Sequence, residues 1–184
     1  MKERSDEELM LAFAQHDQNA FEQLYARHKD ALYRYFLRHL SNESTCQELY
    51  QDLWMKIIKS KDNYKPTAKF KTWMYTLAHN RLVDWYRRNN LEMQSFQANS
   101  EESDTDGSIE WNPADEFQTK RLSKQLKLAI EDLPFDQREV FLLHQEALLT
   151  LPQISEMLQE GLEKIKSRYR YAINKLRKNL EIFR

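Results

Sequence analysis

The sequence predicts an all-α protein: two small helical domains joined by a flexible acidic linker, with a helix-turn-helix in the C-terminal domain. Its 184 residues include only 2 Gly and 4 Pro, fewer turn residues than β-sheet folds normally need. Apolar side chains recur three and four residues apart on both sides of a polar segment, which is the period of amphipathic helices. That segment, residues 91–116, shows no such period, and its composition cannot bury enough apolar area to offset its ordering entropy.

The N-terminal domain, residues 1–90, is predicted to be helical throughout. Its apolar stripes lie in residues 9–25, 32–40, 49–58 and 70–85. Asp17 is a suitable N-cap before Ala20, because its carboxylate can accept from the free amides of the first helical turn. Pro66 forces a break, so the last helix of this domain is expected to run from about residue 69 to 88.

The C-terminal domain, residues 117–184, is predicted to contain a helix that Pro134 ends, a helix around residues 138–144, and a final pair. The pair begins at a capping box, Thr150-x-x-Gln153, with Leu149 and Ile154 at the positions of a hydrophobic staple. A turn at residues 159–161 leads to the last helix, residues 162–179, whose inner face is apolar at steps of three and four.

Two helices joined by a short turn predict a helix-turn-helix, in which the second helix enters the major groove of DNA. The residues expected to face outward are Glu163, Lys164, Lys166, Ser167, Arg170, Tyr171 and Asn174. Lys and Arg can donate to guanine, and Ser can read either base edge. The residues expected to contact phosphates are Arg168, Lys175, Arg177 and Lys178. The alternative is an amphipathic helix that packs on a neighbour and leaves a solvated basic face.

The net charge of −1 hides a sharp partition along the chain. Residues 61–90 carry seven bases against two acids, and residues 164–178 carry seven bases and no acid. Residues 91–119 carry eight acids and no base. Two basic regions around an acidic strip indicate two contacts to a polyanion, whereas either basic run alone could be a solvated face.

Aromatic and basic residues alternate in the helix predicted over residues 70–88. The set comprises Phe70, Trp73, Tyr75, Trp85 and Tyr86 beside Lys69, Lys71, Arg81, Arg87 and Arg88. Bases of single-stranded DNA stack on aromatic rings while cations follow the backbone, so this composition suits a single strand. The alternative places these aromatic side chains in the core.

Several classes of function lack their sequence signatures. The five histidines form no Glu-x-x-His or His-Glu-x-x-His motif, so surface or capping roles are expected for them. Two glycines cannot form a phosphate-binding loop, and one cysteine, Cys46, cannot form an intramolecular disulfide or a zinc knuckle. The missing motifs predict a protein without enzymatic activity, metal or cofactor. The charged start and the absence of a long apolar run predict a cytoplasmic location.

The motifs resemble the second and fourth conserved regions of bacterial RNA polymerase sigma factors of the sigma-70 family. The second-region residues are Asp17-x-x-Ala20-Phe21-x-x-Leu24-Tyr25, Gln47-Glu48-Leu49-x-Gln51-Asp52-Leu53-Trp54, Phe70-x-x-Trp73-Met74-x-x-x-Ala78-x-Asn80 and Asp84-x-x-Arg87-Arg88. The fourth-region residues are Leu133-Pro134, Arg138, Thr150, Ile154, Leu158 and Ile165-Lys166-Ser167-Arg168. A sequence with only these two regions, joined by a linker, resembles the small extracytoplasmic-function (ECF) type.

The resemblance implies three sets of site residues. The set implied to bind core polymerase is Glu48, Gln51, Asp52 and Trp54. The set implied to open and read the −10 element is Trp73 and Asn80, with the cations Lys69, Arg81, Arg87 and Arg88 of the same segment. The set implied to bind the −35 element is His144, Lys164, Lys166, Ser167, Arg168, Arg170, Tyr171 and Lys175. The acidic linker matches a segment that threads toward the RNA exit path.

The sequence departs from the family pattern around the helix-turn-helix. Gln159 stands where the turn usually has Gly, and Gly161 stands where a Ser or similar cap is common. Leu151-Pro152 replaces a more polar pair, and Ala147-Leu148 replaces an acidic residue followed by Gly. These departures are expected to affect which −35 sequence is recognised more than they affect the fold.

The sequence therefore predicts an initiation subunit that binds core polymerase and promoter DNA and is held by an anti-sigma protein. Two alternatives remain at this point. One is a stand-alone helix-turn-helix regulator that binds duplex DNA without polymerase. The other is a helical adaptor that binds only protein, which would show no salt-dependent affinity for DNA.

Overall fold

The computed structural model of the chain describes residues 4–40, 42–96 and 115–181, and all regular structure in these ranges is helical. The N-terminal lobe consists of α1 (Asp6–Ala14), α2 (Gln18–His39), α3 (Glu43–Lys59), a 3-10 turn (Lys61–Asn63) and α4 (Phe70–Phe96). The C-terminal lobe consists of α5 (Asp115–Glu131), α6 (Phe135–Gln145), α7 (Leu151–Leu158) and α8 (Leu162–Glu181). The predicted all-α class is confirmed.

The predicted linker, residues 91–116, lies mostly outside the described residues. At its edges α4 continues to Phe96, beyond the predicted end near Arg88, and α5 already begins at Asp115.

Local capping determines how the N-terminal lobe begins. Asp17 caps α2 as predicted, since its Oδ1 accepts from the Ala20 amide at 3.2 Å. The stripes in residues 9–25 and 32–40 are divided differently from the prediction, because α1 ends before Asp17 and a single helix carries the rest. Leu24, His28 and Leu32 are all buried one turn apart, so the buried face of α2 continues through a polar residue.

The core of the N-terminal lobe forms where α1 and α3 pack against α2, and α4 packs against α1 and α3. Its largest fully buried side chains are Leu9, Met10, Leu24, Leu32, Tyr35, Phe36, Leu49, Leu53, Ile57, Phe70, Met74 and Tyr75. Tyr35 meets Tyr75 edge to face, with ring centroids 5.4 Å apart. This packing gives α4 one fully buried face and leaves its other face available for contacts.

The core of the C-terminal lobe lies between α6 and α8, with α5 and α7 closing its sides. The buried side chains at its centre are Ile130, Leu133, Val140, Leu142, Leu143, Ile154, Ile165, Ala172 and Leu176. The predicted inner face of the last helix is confirmed at Ile165, Ala172 and Leu176.

The expectation that the histidines are surface or capping residues is wrong for His28 and His39, which are 7% and 2% exposed. Each meets a carboxylate from another element: His28 Nε2 lies 2.7 Å from Asp6 Oδ2, and His39 Nε2 lies 2.8 Å from Glu139 Oε2. A buried imidazole is acceptable when such a partner is present, and a partner distant in sequence leaves no local signal.

The two lobes contact each other directly. Helix α2 packs against α5 and α6, and α4 packs against α7. None of the helices in the described ranges is long and apolar enough to cross a membrane.

Candidate nucleic-acid interface

The helix-turn-helix begins at the predicted capping box. Gln153 Oε1 accepts from the Thr150 amide at 2.9 Å, while Thr150 Oγ1 accepts from the Gln153 amide at 3.4 Å. Leu149 and Ile154, the predicted staple, are 2% and 0% exposed. These contacts determine the direction in which α7 leaves the preceding turn.

The turn between α7 and α8 depends on a left-handed residue. Gln159 has φ of 55°, and Ser155 Oγ donates to the Glu160 carbonyl at 2.6 Å. The carbonyl of Gly161 then accepts from Lys164 and Ile165, which starts α8. Leu148 is also left-handed, with φ of 52°. Glycine adopts this region most easily, which explains why the family pattern has Gly at the positions of Leu148 and Gln159.

The outer face of α8 is basic and accessible. Lys164, Lys166 and Arg170 are exposed, Tyr171 is 57% exposed, and Ser167 is half-buried. The Arg170 guanidinium lies 5.7 Å from the centre of the Tyr171 ring. Lys166 pairs with Glu163 at 2.8 Å and Lys164 with Glu160 at 3.2 Å. Exposed ion pairs contribute at most about 1 kcal/mol to stability, so a DNA phosphate can replace these carboxylates as the partner of each lysine.

Two further cations of the predicted −35 set bind protein groups. Arg168 is largely buried and bonds to Glu160 and to Asp136. Lys175 Nζ lies 3.0 Å from Asp132 Oδ2 and donates to the Asp132 carbonyl at 2.6 Å. The hydrogen bond from Lys175 lowers the pKa of the Asp132 carboxyl. Both cations therefore join α8 to the elements behind it.

His144 lies beneath α8 instead of on its outer face. Its Nδ1 donates to the Leu149 carbonyl at 2.7 Å, and its ring meets Tyr169 edge to face at 4.7 Å. Because a carbonyl only accepts, Nδ1 carries the proton in this contact. The residue therefore connects α6, the turn before α7, and α8.

The predicted −10 residues on α4 and directly before it divide into exposed and half-buried groups. Lys69, Asn80, Arg87 and Arg88 are exposed, whereas Trp73 is half-buried. Trp73 packs against Tyr64 and Phe70, with ring centroids 5.1 and 5.7 Å away. These contacts hold one part of the indole in the protein and leave the rest accessible, as a stacking platform requires.

The structure also divides the aromatic side chains of the 70–88 segment. Phe70 and Tyr75 are fully buried and belong to the core, while Trp85 and Tyr86 are half-buried. Burial raises the pKa of Tyr75 far enough to keep its phenol neutral. The core alternative therefore holds for Phe70 and Tyr75 and holds only in part for the others.

The start of α4 is supported by α1. Glu7 Oε1 accepts from the Phe70 amide at 2.8 Å, which satisfies one of the free amides of the first turn. Tyr64 in the preceding loop is buried, and this burial raises its pKa to about 12. The Pro66 loop is thus anchored at both ends.

The predicted polymerase-binding residues lie on α3. Glu48, Gln51 and Asp52 are exposed, but Trp54 is 5% exposed. Trp54 packs edge to face against Phe21 and Tyr25, with centroids 5.9 and 4.9 Å away. Arg81, predicted for the −10 set, bonds from α4 to Asp52 and lies 4.0 Å from Glu48.

Sequence reasoning missed the residues that join the lobes. Glu139 of α6 is buried against Tyr35, His39 and His79 of the N-terminal lobe. Glu139 follows the polar residues Asp136, Gln137 and Arg138 and directly precedes the apolar run 140–143, so the sequence gives no local signal of its burial. In the described residues, no cluster of His, Cys, Asp or Glu is arranged to hold a metal ion.

Two family models match the chain. Residues 24–92 match sigma-70 region 2, and residues 129–178 match sigma-70 region 4. The ECF RNA polymerase sigma factor SigK of Mycobacterium sp. (strain KMS) is 30% identical over 175 residues, which cover 92% of this chain and 87% of that protein. RNA polymerase sigma factor YlaC of Bacillus subtilis (strain 168) is 24% identical over 162 residues, covering 88% of this chain and 92% of that protein.

Two solved structures share the fold. The sigma factor RpoE of Bartonella quintana, in complex with the anti-sigma factor NepR, matches with a TM-score of 0.72 and 23% identity. That match covers 89% of this chain and 98% of the other. CnrH in complex with the cytosolic domain of CnrY matches with a TM-score of 0.68 and 22% identity, covering 97% and 99% of the two chains.

Proposed function

The chain belongs to the ECF RNA polymerase sigma factors of the sigma-70 family, and from this premise we propose which helices perform each step of initiation. Sigma factors of this family recognise promoters and are not enzymes. Family membership removes the two alternatives of a stand-alone regulator and a protein-only adaptor.

Helix α8 reads the −35 element in this proposal. The observation that carries the assignment is its exposed basic face, Lys164, Lys166, Arg170 and Tyr171, placed directly after a capped α7 and a tight turn. Lys166 and Arg170 can donate to base edges in the major groove. Arg168 and Lys175 support α8 from behind, because they are engaged by Asp136, Glu160 and Asp132.

Helix α4 binds the −10 element. Trp73, Asn80 and Arg87 follow each other at steps of seven residues, so they lie along one face of the helix. The partly exposed indole of Trp73 offers a surface on which an unpaired base can stack, and Arg87 and Arg88 can follow the backbone of the strand. Lys69 extends this basic path at the start of the helix.

Helix α3 binds core polymerase through its exposed polar face. Gln51 and Asp52 follow Glu48 by three and four residues, which places both beside Glu48 on the helix surface. Arg81 orients Asp52 from α4, and the Trp54 ring supports the helix from within.

The experiment that tests this assignment is transcription by core polymerase reconstituted with the purified chain on a library of random promoters. We expect tight association and transcripts that share two sequence elements. Variants of α8 should alter only the upstream element, and variants of α4 only the downstream one. Transcripts without two shared elements, or elements that respond to the wrong helix, would contradict the division of roles.

We further propose that an anti-sigma protein holds the chain and that both act in the cytoplasm, where core polymerase and DNA are found. Support comes from the two matching structures, in which RpoE is bound to the anti-sigma factor NepR and CnrH is bound to the cytosolic domain of CnrY. Purification of the tagged chain from its own cells should recover a second protein that blocks transcription when added to the reconstituted system. A recovered partner that binds without inhibiting would contradict this proposal.

A further inference from the structure

The residue that precedes α4 cannot cap this helix. Helix α4 begins at Phe70, and the residue before it is Lys69, whose ammonium group has no acceptor for the free amides of the first turn. The acceptor comes from α1, where Glu7 Oε1 accepts from the Phe70 amide at 2.8 Å. Glu7 and Phe70 are 63 residues apart in the sequence. The start of the helix that we assign to the −10 element therefore depends on α1.

The first turn of α1 is itself held by α2. Asp6 Oδ1 accepts from Arg27 Nη1 at 2.8 Å, and Asp6 Oδ2 lies 2.7 Å from His28 Nε2. Burial by itself would raise the pKa of Asp6, but the hydrogen bonds with His28 and Arg27 lower it to about 2, so this carboxylate is ionised at neutral pH. Because a carboxylate only accepts, His28 Nε2 carries the proton in this contact. Arg27 also donates to the Arg4 carbonyl at 2.9 Å, which holds the chain just before α1.

The contacts continue from α1 and α2 to the indole of Trp73. His28 is 7% exposed, and its ring centroid lies 5.6 Å from that of Phe70. Phe70 is fully buried, and its ring centroid lies 5.7 Å from that of Trp73. Tyr64 adds support, since its ring centroid lies 6.1 Å from Phe70 and 5.1 Å from Trp73. The backbone of Phe70 is thus held by Glu7 and its ring by His28, and Trp73 packs on that ring.

The first turn of α1 also brings negative charge to the basic start of α4. Asp6 and Glu7 line one cavity together with Lys69 and Lys71. Glu7 therefore supplies α4 with an acceptor for the Phe70 amide and with a charge that is favourable at a helix N-terminus. Glutamine keeps the acceptor and removes the charge, so a comparison of Glu7→Gln with Glu7→Ala separates the two contributions.

We propose that Glu7 and Asp6 are positioning residues for opening of the −10 element: the first turn of α1 holds the start of α4, and thereby holds the Trp73 indole where an unpaired base can stack. The inference rests on the proposed assignment of Trp73 to the −10 element. Both acidic residues act through protein contacts. A ring that is held in place before the base arrives does not have to be ordered when the base binds, so capture of the base is more favourable.

The test measures promoter opening by core polymerase reconstituted with the purified full chain. The promoter is one recovered from the random library, and the fluorescent base 2-aminopurine is placed in its −10 element, because the emission of this base rises when it leaves the stack. We expect Glu7→Ala to slow opening by about 3- to 10-fold, a range typical of the loss of one N-cap. Asp6→Asn should also slow opening. Glu7→Gln should open the promoter at close to the native rate, because its amide oxygen can accept from the Phe70 amide.

The matched control is Glu22→Ala, which removes the same charge from an exposed position of α2 and should open the promoter at the native rate. Circular dichroism shows whether each variant is folded, and Asp6→Asn replaces Glu7→Ala in every comparison if the alanine variant does not fold.

A promoter with a mismatched −10 element distinguishes positioning from a general loss of activity. The mismatch supplies the opening, so Glu7→Ala should initiate there at the native rate. An equal defect on the duplex and mismatched promoters would overturn the proposal, because a loss of folded chain or of polymerase binding affects both promoters alike.

A double-mutant cycle tests whether Glu7 acts through Trp73. Trp73→Ala should slow opening, and adding Glu7→Ala to it should have no further effect, because the ring to be positioned is absent. Additive effects of the two substitutions would overturn the proposal. Normal opening by Glu7→Ala together with slow opening by Trp73→Ala would overturn it and leave the assignment of α4 in place. Normal opening by Trp73→Ala would overturn both the proposal and the role assigned to this tryptophan.

Discussion

Arg81 of α4 bonds to the carboxylate of Asp52 on α3, with its Nε 3.1 Å from Asp52 Oδ2. The sequence predicted that one of these residues contacts DNA and that the other contacts polymerase. Their ion pair therefore connects the two proposed surfaces of the N-terminal lobe. A partner that binds Asp52 on α3 can therefore change the position of the Arg81 side chain on α4 without any change in the core.

The first prediction concerns this pair. Arg81→Ala should weaken binding to core polymerase because Asp52 loses the group that orients it. In a double-mutant cycle with Asp52→Ala, the coupling should be about 0.5–1 kcal/mol, as is typical of a partly exposed pair. Lys124→Ala, an exposed cation of α5, serves as the control. Additive effects of the two substitutions would show that the pair does not act in polymerase binding.

The second prediction concerns the outer face of α8. Lys166→Ala and Arg170→Ala should each weaken binding of the holoenzyme to the −35 element by about 1–3 kcal/mol if they contact bases. Binding to core polymerase should be unchanged. If a residue contacts only phosphate, its removal should reduce the slope of log binding constant against log salt concentration by about one. Normal transcription by both variants would mean that the recognition face has been assigned wrongly.

The third prediction separates Arg168 from its neighbours on α8. Because Arg168 is largely buried and bonds to Glu160 and Asp136, Arg168→Ala should destabilise the C-terminal lobe by about 1–2 kcal/mol. Thermal unfolding of the free chain measures this effect, with Arg170→Ala as the matched exposed control. A variant of Arg168 as stable as the native chain, yet defective in −35 binding, would instead make this residue a direct DNA contact.

The fourth prediction concerns Asn80, which is exposed on the proposed −10 face of α4. Asn80→Ala removes an amide that can donate to and accept from a base, so the preferred −10 sequence should change while −35 preference stays the same. Transcription from a library randomised at the −10 element measures the preference. An identical −10 preference in the variant and the native chain would refute this role.

The fifth prediction concerns the left-handed residues beside α7. Leu148 has φ of 52° and is 73% exposed, and Gln159 has φ of 55°. A side chain in the left-handed region costs the folded state about 1–2 kcal/mol, and replacement by glycine removes this cost. Glycine also loses more backbone entropy on folding, which cancels part of the gain. Leu148→Gly and Gln159→Gly should therefore each stabilise the chain by about 0.5 kcal/mol.

The matched control is Glu156→Gly, which places glycine inside α7 and should destabilise by about 1 kcal/mol. Chemical denaturation of the three variants decides the matter. Destabilisation by all three would show that the side chains of Leu148 and Gln159 make contacts worth more than the backbone strain.

Much of the fold could be predicted from sequence because its determinants are local. The caps at Asp17 and Thr150 act over three residues, and the apolar face of α8 repeats at three and four. The prediction divided α2 into two helices, because the polar residue His28 lies inside its buried face. The roles assigned to individual DNA-binding and polymerase-binding residues stay predictions.

The sequence by itself determined the helical class, the helix-turn-helix and the opposite charges of the linker and the two basic regions, because helical period, capping and charge are properties of neighbouring residues. Only the tertiary structure decided that Arg168 bonds to protein carboxylates and that Glu139 is buried between the lobes. Tyr35 and Glu139 are 104 residues apart in the chain. A buried charge requires partners, and partners at such separations meet only after the helices have packed.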